Sequence, residues 1–197
     1  MTYSYKIEQA IRAATVLHKE QVRKGDTPFP YVSHLFSVAL MVAEHTDDED
    51  TIVAALLHDA LEDTDYTADE LENDFGTKVR DIVLTLSEPK QLHGKSATWK
   101  ERKTEYNKQL KQGPEEALLV AAADKIHNMR TMIEDNFDNH TSFIANFGGR
   151  LNDRLVAYQE ASNIINRRLK SQILTEFNNV FNEYKDFIAH VRDKSET

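Results

Sequence analysis

The sequence predicts an all-α fold, because helix breakers are scarce and apolar residues recur at helical spacing. Only six glycines and four prolines occur among 197 residues. In "IEQAIRAATVLHKEQV", near the start, apolar side chains at i, i+3, i+4 and i+7 form one stripe. Few runs alternate with the period of two that marks a half-buried strand. We therefore expect a helical protein with about eight to ten helices.

Composition indicates a soluble globular protein and excludes several classes of function. The chain is 40% hydrophobic and 29% charged, and no apolar run approaches the roughly 18 residues of a membrane span. The N-terminus "MTYSYKIEQAIRAA" lacks the features of a secretory signal. We therefore expect no membrane contact and a cytoplasmic location, whereas the oligomeric state is not predicted. A net charge of −9 argues against a broad nucleic-acid-binding surface, but a local basic pocket is compatible with it.

The first half of the chain divides into helices at clear breaks. The first helix is expected to end near "KGDTPFP", where a glycine and two prolines interrupt it. "HLFSVALMVAEH" and "DEDTIVAALLHDALEDT" follow as two strongly apolar helices, the latter opening with acids that suit a helix N-terminus. "TADELENDFG" is a short helix, in which Thr67 and Glu70 form a capping box and Gly76 ends the helix. "TKVRDIVLTLS" is the next helix.

The second half continues in the same way. "EPKQLHGKSAT" is predicted as a loop, and "WKERKTEYNKQLKQG" as a polar helix that ends at Gly113. Pro114 is placed at the first position of the helix "PEEALLVAAADKIHNMRTMIED". "NFDNHTSFIANFGG" is irregular or interrupted, and two further helices span about 150–191. Without repeats or linkers, we expect residues 1–197 to form one domain, with a core of about 10–165 and a helical extension at 170–197.

Imidazoles and acids adjoin three of the apolar runs. His58 and Asp59 follow "AALL", His34 precedes "LFSVAL", and Asp124 follows "LLVAAA". For His58 and Asp59 the alternative is a solvated helix end, and for His34 it is a cap or a core residue. Buried charge is costly unless it is paired or binds a metal. Packed together, these residues would supply two nitrogens and two carboxylates to a divalent cation, with positions open for water and substrate.

Two more acids follow one helical turn later. Glu62 lies at i+4 from His58, and Asp63 lies at i+4 from Asp59, so all four are expected to line one sector of the third helix. Because the chain has no cysteine, thiolate ligands are excluded and any metal must bind nitrogen or oxygen.

The order H…HD…D resembles the HD superfamily of metal-dependent phosphohydrolases. The similarity is closer to one branch, the RelA/SpoT-type (p)ppGpp hydrolases. It is carried by "HKEQVRKGDTPFPYVSHLFSVA", "AALLHDALEDT", "FGTKVRDIV", the "RK" of the polar helix and "ADKIHNMRT", and it spans roughly residues 10–165. The H…HD…D order alone is a weak pattern, whereas the arginine–lysine pair ahead of the first histidine, "HDALEDT" and "ADKIHNMRT" together are specific.

The resemblance implies roles for individual residues. The implied metal ligands are His34, His58, Asp59 and Asp124. Glu62 and Asp63 match the catalytic acid pair, which activates water and assists the leaving group. The implied substrate contacts are Arg23 and Lys24 at the guanine, Asn128 and Thr131 at the nucleoside, and Lys103, Arg154 and Tyr158 at phosphates. The candidates for a local basic pocket are the cations of this set and one further residue: Arg23, Lys24, Lys103, Arg154 and Arg130.

Several features depart from the family pattern. Leu35 stands where a proline commonly follows the first metal histidine, the loop at 88–97 is not typical, and 170–197 extends past the family core. The chain is too short for the synthetase and regulatory domains of the long bifunctional enzymes, so the resemblance implies hydrolysis only.

The expected reaction is removal of the 3′-pyrophosphate of (p)ppGpp, a small nucleotide. Two alternatives stay open: a phosphohydrolase or phosphodiesterase acting on another nucleotide, such as a phosphorylated dinucleotide, and a silent nucleotide-binding protein. The resemblance favours manganese as the metal, and zinc or iron also fit nitrogen and oxygen ligands.

Overall fold

The computed structural model describes residues 3–23, 28–92, 94–137, 143 and 151–195, with side chains described as far as residue 192. The predicted all-α fold is confirmed. The elements are α1 Tyr5–Leu17, α2 Val32–Ala43, α3 Glu49–Leu57, α4 Ala60–Asp63, α5 Ala68–Phe75, α6 Thr77–Leu86, β1 Gln91–Leu92, β2 Lys95–Ser96, α7 Trp99–Gln112, α8 Glu115–Asn136, α9 Leu151–Arg168 and α10 Ile173–Ser195.

Local signals fix most helix ends. The predicted capping box of α5 is present, since the Thr67 side chain accepts from Glu70 N–H and the Glu70 side chain accepts from Thr67 N–H. Gly76 adopts φ +93° between α5 and α6, a conformation that glycine adopts without strain. A second capping box, Thr98 with Glu101, starts α7. At the other end of α7, the Arg168 guanidinium donates to the Leu110 and Gly113 carbonyls.

Four predictions about the elements are wrong in detail. α1 ends at Leu17, before the expected break, because the chain turns where His18 Nδ1 contacts Gln21 Oε1 at 2.7 Å. The third helix is interrupted after Leu57 and resumes as the single turn α4. The predicted loop at 88–98 contains the antiparallel pair of β1 and β2. Pro114 precedes α8 as its N-cap instead of opening the helix. The predicted irregular segment 136–149 lies almost entirely outside the described residues.

The core is built on α3 and α8. Every residue from Thr51 to Leu57 in α3 is buried, as is every residue from Ala117 to Ala123 in α8. α1, α2 and α6 pack against α3, and α2, α6, α9 and α10 pack against α8. These two apolar runs therefore deliver the polar residues that follow them to the interior. α10, which forms the C-terminal extension, lies along α8. The assignment of residues 1–197 to one domain stays a prediction.

Among the described residues, no helix combines the length and the apolar character that crossing a membrane requires.

Gly113 provides a test of packing at the α6–α7 contact. A Cβ added there would overlap Cγ2 of Thr85, so Gly113→Ala should destabilise the protein by about 1–3 kcal/mol through overpacking. Chemical denaturation measures this free energy of unfolding. Thr85→Ser, which removes only Cγ2, should restore most of the loss in the double variant and change little alone. Equal destabilisation by Gly113→Ala in both backgrounds would contradict the explanation.

Candidate metal centre and adjoining cavity

The interruption between α3 and α4 shapes the candidate site. His58 and Asp59 form a turn between the two helices, and both keep right-handed helical backbone angles. The predicted third helix is therefore interrupted, but His58, Asp59, Glu62 and Asp63 all line one cavity. His34 lies in the first turn of α2, and Asp124 lies in the middle of α8. Asp124 therefore lies inside the helix that the sequence predicted for this segment.

These four side chains converge. His34, His58 and Asp59 each offer a ligand atom, and the three atoms lie within 4.8 Å of one another. His58 Nε2 lies 3.2 Å from Asp59 Oδ2, and His34 Nε2 lies 3.3 Å from Asp124 Oδ1. Both imidazoles are buried, whereas the carboxylate side chains are about one fifth exposed: Asp59 by 20% and Asp124 by 19%. The cluster therefore opens toward solvent on the carboxylate side.

The hydrogen bonds of His58 fit a metal ligand. Its Nδ1 lies 2.8 Å from the Ala55 carbonyl oxygen, which can only accept, so Nδ1 carries the proton and a neutral ring has a bare Nε2. The Nε2 atoms of His34 and His58 are buried, and neither has a hydrogen-bond partner among the described residues. Buried lone pairs beside carboxylates are costly unless a cation occupies the space between them. The donor set therefore suits a divalent metal bound by nitrogen and oxygen.

The charges of the cluster support the same conclusion. Burial alone would raise the pKa of Asp59, but the imidazoles of His58 and His34 lower it to about 2. Burial likewise opposes ionisation of Asp124, yet contacts with His34 and His58 hold its pKa well below the usual range. Both carboxylates are therefore ionised at neutral pH, because the same contacts raise the pKa of His58 and make it the positive partner in the metal-free protein. A bound divalent cation would take over that positive charge and leave the imidazoles neutral.

Glu62 and Asp63 lie beside the cluster, at the wall of a cavity of about 240 Å³ that His58, Asp59 and Asp124 also line. Glu62 Oε2 accepts from the Glu88 backbone N–H at 3.1 Å. Burial, with the neighbouring charges of Glu88 and Asp59, raises the pKa of Glu62 to about 7. Burial and Asp59 also raise the pKa of Asp63. A carboxyl group poised near neutrality can both accept and return a proton.

The same cavity also has cations in its lining. Four predicted substrate contacts line it: Lys103, Asn128, Arg154 and Tyr158. Lys103 is held by Glu88, with its ammonium 5.8 Å from the centre of the Trp99 ring. Arg130, by contrast, lines neither this cavity nor its neighbour, because it pairs with Glu176 on the surface at 2.6 Å. The suggestion that Arg130 contributes to the basic pocket is therefore wrong.

A second cavity adjoins the first through Asn128, Arg154 and Tyr158. Arg23 and Thr131 line it, and Arg23 Nη2 donates to Asn128 Oδ1 at 2.8 Å and to Thr131 Oγ1 at 3.2 Å. Asn128 in turn donates to Asp124 Oδ1. Hydrogen bonds thus connect Arg23 with the metal cluster. Lys24, the other predicted member of this pair, lies outside the described residues.

Four residues of the site were not assigned from the sequence. Tyr31 donates to Asp59 Oδ2 at 2.6 Å, and Glu88 connects Glu62 with Lys103. Lys125 donates to the Tyr106 hydroxyl at 3.2 Å and lies 3.9 Å from Asp124 Oδ2. His127 Nδ1 lies 3.0 Å from His34 Nδ1. Only Lys125 and His127 carried a sequence signal, which is their proximity to Asp124 in "DKIHN".

Comparisons with known proteins agree with this geometry. A family model described as HD domain matches residues 10–145. The guanosine-3′,5′-bis(diphosphate) 3′-pyrophosphohydrolase of Aquifex aeolicus is 36% identical over 132 residues, which are 66% of this chain but only 18% of that protein. The pyrophosphohydrolase MESH1 of Xenopus tropicalis is 37% identical over 128 residues, 64% of this chain and 69% of that protein.

A solved structure is also similar along nearly the whole chain. It is described as a metazoan ortholog of SpoT that hydrolyses ppGpp. The TM-score is 0.76 at 25% sequence identity, and the match covers 93% of this chain and 98% of that one. The C-terminal helices are therefore included in the structural similarity.

Removal of one carboxylate should abolish metal binding. Asp124→Ala leaves two buried imidazoles with a single acid, so we expect no stoichiometric Mn²⁺ by metal analysis after dialysis. The metal should raise the melting temperature of the wild type, because a ligand that binds only the folded state stabilises it, and this rise should disappear in the variant. Glu62→Gln is the matched control and should bind the metal normally. Retention of one ion by Asp124→Ala would contradict the assignment.

Proposed function

Because the chain belongs to the HD-domain family, we propose that it is a metal-dependent phosphohydrolase that removes the 3′-pyrophosphate of (p)ppGpp. The products would be GDP or GTP and pyrophosphate. The observation that carries this proposal is one cavity lined by members of a metal-binding cluster, by two acids with raised pKa values and by cations. The names of the relatives and of the structural neighbour supply the nucleotide.

His34, His58, Asp59 and Asp124 would hold the ion. When bound, a divalent metal in such a site lowers the pKa of water and polarises phosphoryl oxygen. We propose Mn²⁺, which the resemblance favours among the ions, manganese, zinc and iron, that nitrogen and oxygen ligands without sulfur accept, and a cytoplasmic location, which the sequence predicted.

Glu62 is the proposed acid–base group. Its Oε2 is oriented by the Glu88 N–H, and a pKa near 7 lets the carboxylate take a proton from the attacking water. The new bond forms between water oxygen and phosphorus, and the bond from that phosphorus to the 3′ oxygen breaks. The proton is then returned to the 3′ oxygen of the departing nucleotide. Asp63, whose pKa is also raised, would assist at the same wall.

The cations of the cavity would bind the phosphates. Lys103, Lys125 and Arg154 line the cavity, and preorganised positive charge stabilises the charge that develops on phosphoryl oxygens. Lys125 is fixed by the Tyr106 hydroxyl and lies 4.7 Å and 5.7 Å from the centres of the Tyr106 and Tyr158 rings. Arg23, 5.7 Å from the centre of the Tyr31 ring, would hold the guanine end in the adjoining cavity.

The proposal is tested by turnover. Purified protein loaded with Mn²⁺ should release pyrophosphate from ppGpp, while Glu62→Gln should bind Mn²⁺ and lose roughly 10²–10⁴-fold in kcat. A panel of other nucleotides is assayed in parallel for orthophosphate. Faster orthophosphate release from another nucleotide would replace the substrate, and tight ppGpp binding without turnover in any metal would indicate a silent binding protein. A Glu62→Gln variant with unchanged kcat would contradict the role of Glu62.

Arg154 should contribute to turnover only by binding the phosphates of the substrate. Hydrogen bonds to charged groups are worth about 1.5–3 kcal/mol, so Arg154→Ala should lower kcat/KM for ppGpp by roughly 10- to 100-fold. Arg130→Ala is the matched control, because Arg130 lies outside both cavities and pairs with Glu176; its kcat/KM should stay near the wild-type value. Similar losses in the two variants would point to general electrostatics instead of a local contact.

A further inference from the structure

The imidazole of His127 contacts the candidate ligand His34 and has no role in the reaction proposed above. The two Nδ1 atoms are 3.0 Å apart, and the rings meet at 64° with centres 4.7 Å apart. His127 lies three residues after Asp124 on α8, so one helix supplies both a carboxylate to the cluster and this second imidazole behind His34.

A hydrogen bond between two imidazole nitrogens contains one proton, and its position decides what His34 can do. If His34 Nδ1 carries the proton, a neutral His34 presents a lone pair at Nε2. If His127 Nδ1 carries it, the proton of His34 moves to Nε2 and blocks that atom. The polarity of this single contact therefore sets the tautomer of His34.

The surroundings of His34 Nε2 favour the first polarity. The atom is buried and has no hydrogen-bond partner among the described residues, although Asp124 Oδ1 lies 3.3 Å away. A divalent cation between the carboxylates of the cluster can bind His34 only through a lone pair at Nε2, so metal binding requires the proton at Nδ1, where it faces His127. His58 shows the same arrangement with a backbone acceptor, the Ala55 carbonyl at 2.8 Å.

We propose that His127 is a positioning residue that accepts the Nδ1–H of His34 and so fixes the tautomer that offers Nε2 to a divalent cation. This inference rests on the proposed metal site. The two ligand histidines differ in the group that accepts their Nδ1 proton. For His58 it is the Ala55 backbone carbonyl, which can only accept. For His34 it is the His127 side chain, which a substitution can replace by one that cannot accept.

Two variants separate acceptance from packing. In His127→Asn, the amide oxygen can take the position of Nδ1 and accept the same proton. In His127→Leu, a side chain of similar size has no acceptor. By calorimetric titration with Mn²⁺, the Leu variant should bind roughly 10- to 100-fold more weakly, and the Asn variant should bind nearly as tightly as the wild type. The metal-free melting temperatures of both variants verify that each is folded.

A direct readout does not depend on any variant. Nitrogen-15 NMR of the wild type loaded with diamagnetic Zn²⁺ should show His34 bound through Nε2 and protonated at Nδ1, with a bare Nδ1 on His127. A proton on His127 Nδ1, equal weakening by Leu and Asn, or unchanged affinity in the Leu variant would each overturn the inference. Wild-type protein that binds no metal would overturn the metal site together with the inference, so the two failures are distinguishable.

Discussion

The structure depends on burying two imidazoles and two carboxylates at the meeting point of three helices. Ionised groups inside a protein are unfavourable unless they are compensated. Here the partners come from separate parts of the chain: His34 from α2, His58 and Asp59 from the turn after α3, and Asp124 from α8. The apolar runs of α3 and α8 hold them together, and a divalent cation would balance the two negative charges. Core packing and metal binding therefore support each other.

The third helix is interrupted beside this cluster. In the turn, Asp59 Oδ2 lies 3.2 Å from His58 Nε2 and accepts from the Tyr31 hydroxyl. The single turn α4 then begins, and its acids Glu62 and Asp63 reach the wall of the cavity. The interruption thus separates two pairs of neighbouring residues. His58 and Asp59 belong to the metal-binding cluster, and Glu62 and Asp63 are the proposed acid–base pair.

Sequence reasoning predicted the parts that depend on local signals. Helical periodicity gave the helices, the capping box of Thr67 and Glu70 gave the start of α5, and acids beside apolar runs gave the cluster. The interruption at His58 was not predictable, because nothing local to "LLHDALED" breaks a helix. The contacts of Tyr31 with Asp59 and of Glu88 with Glu62 span 28 and 26 residues. Such pairs are set by tertiary packing, which one sequence does not reveal.

Glu88 shows how an acidic chain can hold cations in a cavity that also contains acids. Its backbone N–H orients Glu62, its carboxylate holds Lys103, and its charge helps to raise the pKa of Glu62. Lys125 is similarly held by Tyr106 and Asp124. Each cation is therefore fixed by the protein before any anion enters, which reduces the entropy that binding must overcome. Glu88 contacts both Lys103 and Glu62. A phosphate that attracts Lys103 therefore acts on Glu88, whose backbone N–H orients Glu62. The cations and acids of the cavity are thus connected through one residue, and the net charge of −9 does not determine which ligand the cavity binds.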